Sequence, residues 1–242
     1  KVYEGPRNPM TGAEIYPGLA VGTERGWGAN TAGPAIFSTA TQFFAYMVYN
    51  NPNWDYETFN FDSDVTYADA RFSALLDAIN PDLSAFRNHG GKILQSHLWN
   101  SVVHPATRSI EYYDQVVGLM NGYPGHKEIF DSEDFHQTQK FYRLFMGPGG
   151  SGSKGPGTFD SMPVLQSWVE QGVAPTSILA SHLTSGVVDR TRPLCPYPAF
   201  EVYKGSGSTD NATNFYCAQP QQVPNYFVTD GPEMDDPYPP RL

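Results

Sequence analysis

Apolar residues follow two rhythms along this chain. In several stretches they return every three or four positions, the spacing that gathers them on one face of a helix. Ala68, Phe72, Leu75, Leu76 and Ile79 predict a helix over Tyr67 to Asn80, stopped by Asn80-Pro81. Arg108 to Met120 predicts another, ended by the C-cap pair Asn121-Gly122. A third, Met162 to Gly172, turns Val164, Leu165, Trp168 and Val169 inward and carries Pro163 in its first turn. Within Ala35 to Asn50, the residues Phe37, Phe43, Phe44, Met47 and Val48 predict a short helix with Ser38 or Thr39 as N-cap.

Elsewhere the apolar residues run together over strand lengths. Lys92-Ile93-Leu94 opens one strand after the Gly90-Gly91 turn, Phe141 to Met146 forms a second, and Ile178 to Leu183 a third. From Val187 to Tyr203 the chain reads as continuously extended. Strands separated by helices predict a parallel sheet and an α/β fold, in which chemistry gathers in loops leaving the carboxyl ends of strands. Here that loop runs from Ser96 to Thr107. Residues Lys1 to Asn30 are turn punctuation with no core of their own. The Pro-rich, acidic stretch from Ala218 to Leu242 reads as an extended tail.

A formal net charge of -10 with only 15 Lys and Arg argues against nucleic-acid binding, which needs a basic face. No apolar run reaches membrane-spanning length, so no membrane partner is expected, and the first residues have no signal-peptide character. Fourteen per cent aromatic residues, 21 prolines and 23 glycines describe a loop-rich domain packed by aromatic rings. The two cysteines, Cys195 and Cys217, are close enough to close a modest loop, and Asn211-Ala212-Thr213 between them is a glycosylation acceptor triplet. Together they favour a secreted protein over one with two free thiols and a chance triplet.

Candidate chemistry is sparse. Gly150, Gly152 and Gly155 fall in G-x-G-x-x-G order after a strand, but Pro156-Gly157 follows where a dinucleotide site needs a helix. No G-x-S-x-G elbow occurs. His97 and His104 lie seven apart in the loop region with no carboxylate spaced to join them as metal ligands, so neither metal nor cofactor is expected. The acids Asp55, Asp62 and Asp64 among Trp54, Tyr56, Phe59 and Phe61 suggest a cation or sugar site. The simpler reading is an amphipathic loop with solvated carboxylates.

Several ordered segments carry a family resemblance. They are Ile15-Tyr16-Pro17-Gly18-Leu19, Gly26-Trp27, Asn53-Trp54-Asp55, Phe61-Asp62-Ser63-Asp64, Asp82-Leu83-Ser84-Ala85-Phe86 and Gly90-Gly91-Lys92. Phe141 to Phe145, Gly155-Pro156-Gly157, Trp168-Val169-Glu170 and Arg192 to Pro198 continue the series. The chain resembles the C-terminal half of the tannase and feruloyl esterase family of secreted α/β-hydrolases. That resemblance implies the C-terminal part of an α/β-hydrolase sheet, parallel strands with flanking helices. It also implies a loop-rich, lid-proximal segment over residues 1–60, a core half over 61–217 and the tail over 218–242.

Family members hydrolyse esters of aromatic acids through a Ser-His-Asp triad. The resemblance puts the acid position at Ser101, two residues beyond Trp99, and the base position at Ser151, with Gly152 replacing the adjacent cysteine. It assigns Cys195 and Cys217 to a separate C-terminal disulfide, and places the nucleophile in an N-terminal half outside this sequence. A serine hydroxyl neither accepts a proton usefully near neutral pH nor orients an imidazole by charge, so activity near background is implied. His97, Trp99 and His104 are the implied pocket residues. Two functions remain open: an esterase-family chain that needs a second chain or N-terminal half to complete its sheet, and a non-catalytic secreted binding or structural protein. The ligand would be an aromatic-acid ester or a sugar.

Overall fold

The computed structural model describes residues 2–30, 38–122, 132–149 and 154–220. Phe37, the Ser151 position with Gly150 and Gly152, and the tail beyond residue 220 lie outside the described residues.

The short N-terminal helix α1 (Trp27–Asn30) follows a 3₁₀ turn, and α2 (Ser38–Gln42) runs directly into a π-helical turn, Phe43–Val48. Helix α3 (Ser63–Leu76) and the short α4 (Ser84–Asn88) precede β1 (Ile93–Leu98). Then come α5 (Ala106–Met120), α6 (Ser132–Thr138) and β2 (Tyr142–Gly147). Strands β1 and β2 pair in parallel, Ile93 opposite Tyr142 through Leu98 opposite Gly147, as the strand, helix, strand order requires.

This parallel pair carries the core. Helix α5 buries Ala106, Ile110, Tyr113, Val116 and Val117 at helical spacing, and these pack on Tyr142, Leu144 and Met146 from alternate positions of β2. Phe145 points to the opposite side, where it meets Ile178, Ala180 and Leu194. Each fully buried aliphatic or aromatic side chain here contributes about 1.5–3 kcal/mol. Both faces of the parallel pair are therefore covered.

The second cover is built from α7 (Met162–Gln171) and the hairpin of β3 (Ile178–Thr184) with β4 (Val187–Leu194). Gly172, with φ of +72°, ends α7 in the left-handed conformation. The hairpin turns on Ser185 and Gly186, whose φ values of +52° and +81° fit a two-residue turn of the type that matches strand twist. Strands β5 (Phe200–Tyr203) and β6 (Phe215–Ala218) form a further antiparallel pair, and the disulfide Cys195–Cys217 ties β6 to the end of β4.

Five sequence expectations need correction. Parallel pairing is confined to β1 and β2 among the described residues, whereas β3 pairs antiparallel with β4, because a two-residue turn rather than a crossover helix joins them. Strand β1 extends to Leu98 and α5 begins at Ala106, so the loop is residues 99–105, not Ser96 to Thr107. The extended run from Val187 to Tyr203 breaks after Leu194, because its two halves pair with different strands. On α7 only Trp168 is fully buried, whereas Val169 is 58% exposed, since the hairpin and β2 meet one edge of the helix. On α3, Ala68 is buried but Leu75 and Leu76 are 79% and 53% exposed, because no described element packs on that end of the helix.

Candidate functional site

The loop leaving β1 is held by a directed chain of hydrogen bonds. The Tyr142 hydroxyl donates to Gln95 Oε1, Gln95 Nε2 donates to Ser109 Oγ at 3.0 Å, and Ser109 Oγ meets His97 Nδ1 at 2.7 Å. His97 Nε2 lies 3.0 Å from the His104 carbonyl oxygen. A carbonyl can only accept, so Nε2 carries the proton and Nδ1 accepts from the serine hydroxyl. Burial holds the His97 imidazole below its ordinary value, which keeps it neutral in this arrangement. With both nitrogens engaged, His97 clamps the loop onto β1 and α5 and offers neither nitrogen to a substrate.

Around that clamp the loop folds tightly. Trp99 N donates to Gly147 O at 2.9 Å and its side chain packs on the main core. Ser101 N donates to Leu98 O at 3.0 Å, and Ser101 Oγ accepts from His104 N at 3.3 Å. The Ser101 side chain thus caps backbone within its own loop. Val102 is buried against Gly26, where an added Cβ would lie 2.5 Å from Val102 Cγ1, so the Gly26-Trp27 turn seats on this loop. His104 is exposed.

At the end of β2 the chain crosses itself. A Cβ on Gly155 would meet Pro148 O at 2.1 Å, and one on Gly149 would meet Gly157 Cα at 2.7 Å. Glycine at 149, 155 and 157 answers this close backbone approach rather than a phosphate cradle. Gly157 also lies against Leu98, which brings the crossing beside the loop after β1. The Ser151 position lies between these glycines, outside the described residues.

Two further titratable groups stand out. Asp114 on α5 has its Oδ1 shut off from solvent and without a hydrogen-bond partner. Burial, reinforced by the nearby charge of Glu111 and opposed by a hydrogen bond with Tyr197, pushes its carboxyl up to about 8. On the hairpin, His182 Nδ1 lies 2.5 Å from Asp189 Oδ1, and Thr184 Oγ1 donates to Asp189 Oδ2 at 2.6 Å. The register slips between His182 and Leu183, leaving Asp189 as the extra, unpaired residue whose carboxylate turns back across the hairpin. Those hydrogen bonds hold the Asp189 carboxyl below its usual range.

Of the acids near Trp54, two serve local backbone and the third a distant side chain. Asp55 accepts from Glu57 N, Asp64 from Asn60 N, and Asp62 from Asn8 Nδ2. Among the described residues no group of three or more His, Cys, Asp or Glu could hold a metal ion. The interlocked rings of Phe44, Tyr49, Trp54 and Phe59 pack beside these acids.

The family model for tannase and feruloyl esterase matches residues 1–218. The chain belongs to the tannase and feruloyl esterase family. It is 36% identical, over 89% of its length, to an uncharacterised esterase of Xanthomonas campestris pv. campestris, covering 44% of that protein. It is 40% identical, over 59% of its length, to a mono(2-hydroxyethyl) terephthalate hydrolase of Piscinibacter sakaiensis, covering 22% of that enzyme. The crystal structure of feruloyl esterase B from Aspergillus oryzae superposes on 90% of the chain with a TM-score of 0.74 at 27% identity, again covering 44% of the longer molecule. The fold is thus of the α/β-hydrolase type, and the chain spans less than half the length of these relatives.

Gln95, Ser109 and Tyr142, which govern the loop, carry no sequence signal of that role. No motif links them; only the register of β1 on β2 and the seating of α5 bring them together.

Proposed function

We propose that this chain is the C-terminal half of an ester hydrolase scaffold that does not hydrolyse esters by itself. The observation that carries the reading is the state of the loop after β1. Residues 99–105 contain no carboxylate, and the acid position, Ser101, spends its hydroxyl on the His104 amide of its own loop. The base position, Ser151, is likewise a serine. Without a base to accept the nucleophile's proton and an acid to orient that base, acyl transfer loses several orders of magnitude.

The names of the relatives point to esters of aromatic acids as the ligand class, feruloyl and terephthalate esters among them. Of the pocket set His97, Trp99 and His104, the exposed His104 is the member free to reach a ligand. Secretion is supported by the Cys195–Cys217 disulfide and by exposed Asn211, whose Oδ1 accepts from both Thr213 N and Thr213 Oγ1 in an acceptor triplet.

A second reading, a secreted binding or structural protein, is favoured by the contrast between an intact core and substituted catalytic positions. Turnover and binding of methyl ferulate and methyl gallate, measured on the purified chain, test the proposal. Saturable binding without turnover supports a retained pocket; turnover by the isolated chain overturns the loss of activity.

A further inference from the structure

One carboxamide on the connection from β5 to β6, residues 204–214, is exposed and held in a fixed turn with its nitrogen unengaged. Asn211-Ala212-Thr213 is the only Asn-x-Ser/Thr triplet in the sequence. Asn211 Oδ1 accepts from Thr213 N at 3.0 Å and from Thr213 Oγ1 at 2.9 Å, so the asparagine side chain builds a turn on the backbone two residues on. Among the described residues no group bonds Asn211 Nδ2, and both Asn211 and Thr213 are exposed. These bonds lie within the triplet itself, so the chain can form them before the rest of it folds.

The fold then holds this turn in place. Ala212 N donates to Thr191 Oγ1 at 2.9 Å and Thr191 N to Asp210 O at 2.9 Å, tying both neighbours of Asn211 to β4. The Cys195–Cys217 disulfide pins the end of the connection. Lys204 N donates to Asn214 O and Lys204 Nζ to Thr213 O, each at 2.8 Å, which sets the peptide between Lys204 and Gly205 beside the triplet. That peptide opens a run of small exposed residues, Gly205-Ser206-Gly207-Ser208, the composition that proteases favour at loop tips.

Resting on the proposed secretion of the chain, we propose that Asn211 is an N-glycosylation site whose oligosaccharide shields the connection from β5 to β6 against proteolysis. The donor is an oligosaccharide carried on a lipid pyrophosphate. Asn211 Nδ2 attacks its anomeric carbon, and the carbon–nitrogen bond forms as the bond from that carbon to the pyrophosphate oxygen breaks. The lipid pyrophosphate leaves with the electron pair, and the amide nitrogen gives up one proton. The Thr213 hydroxyl is the group that the transfer requires at the third position of the triplet. A bulky, hydrated chain of sugars at Asn211 then stands beside Lys204, where a protease must seat the backbone.

The experiment expresses the full chain behind a cleavable secretion signal in a eukaryotic host. Intact mass is read before and after peptide-N-glycosidase, which releases the glycan and leaves an aspartate in place of Asn211. An oligosaccharide mass that the enzyme removes is expected. Asn211→Gln and Thr213→Ala should each lose it, whereas Thr213→Ser, which keeps the hydroxyl, should retain it. Trypsin should cut after Lys204 about fivefold more slowly in the glycosylated chain than in the same chain after enzymatic deglycosylation. A parent chain of unmodified mass overturns the proposal, as does a glycan that survives in Asn211→Gln. Equal cleavage after Lys204 overturns the shielding. Secreted and retained fractions are both read, because transfer takes place on entry to the secretory compartment. An exported, disulfide-bonded chain with no glycan overturns the site and leaves the secretion reading in place; a glycosylated chain that is not exported does the reverse.

Discussion

His97 Nδ1 and Ser109 Oγ meet at 2.7 Å, and this contact joins the end of β1 to the first turns of α5. Replacing Ser109 by Ala leaves Gln95 Nε2 and His97 Nδ1 without their shared partner in a half-buried setting. The expected loss is about 1–2 kcal/mol of unfolding free energy, read from urea denaturation. Burial lowers the His97 value below 6.5, so the stability tied to its neutral form is complete above pH 6.5 and is lost as pH falls from there through the folded value. The pH dependence of unfolding between pH 7 and pH 5 should flatten in a His97→Gln variant.

Asp114 has the opposite sign. Its carboxyl rises from 3.8 to about 8 in the fold, so its favourable contribution is complete below pH 3.8 and is lost as pH rises through about 8. Asp114→Asn keeps an acceptor for Tyr197 and removes the charge. The variant should be more stable than the parent by at least about 1 kcal/mol at pH 8.5, and the difference should shrink toward zero near pH 4. Thermal unfolding across that range measures it.

Much of this architecture was legible in the order of the elements. Gly90-Gly91, the Ile93-Leu94 run, the helical spacing through Met120 and the Phe141 to Met146 run placed β1, α5 and β2 within a few residues, because each is dictated locally by turn chemistry and periodicity. Periodicity does not say what a face packs against. Leu75 and Leu76 belong to an apolar stripe, yet they are 79% and 53% exposed. The hairpin of β3 and β4 announces itself only through the dipeptide Ser185-Gly186, a weak signal beside the longer extended pattern. The role of His97 was not legible at all, since its partners lie 12 residues away on α5 and across a loop.

The crossing after β2 gives a further prediction. Gly155→Ala would drive a Cβ to 2.1 Å from Pro148 O, a backbone atom that cannot yield cheaply. A destabilisation of about 1–3 kcal/mol is expected, read from the denaturation midpoint. Gly205, after β5, where an added Cβ meets nothing within 4 Å but φ is +86°, is a useful contrast because its cost comes from backbone conformation instead.

The disulfide closes a sequence separation of 22 residues. Loop-closure entropy for that length stabilises the fold by about 3 kcal/mol. Replacing both Cys195 and Cys217 by Ala should lower unfolding free energy by that amount, and a reductant should have no further effect on the double variant.

The central proposal is that serines at the acid and base positions silence ester hydrolysis by this half of the scaffold. Its most direct test exchanges the matched segment of the Xanthomonas campestris esterase for this chain, unsubstituted and carrying Ser101→Asp together with Ser151→His, and compares the two chimaeras in hydrolysis of methyl ferulate at pH 7. The substituted chimaera should turn over at least about 1,000-fold faster than the unsubstituted one. Equal rates in the two chimaeras would contradict the account.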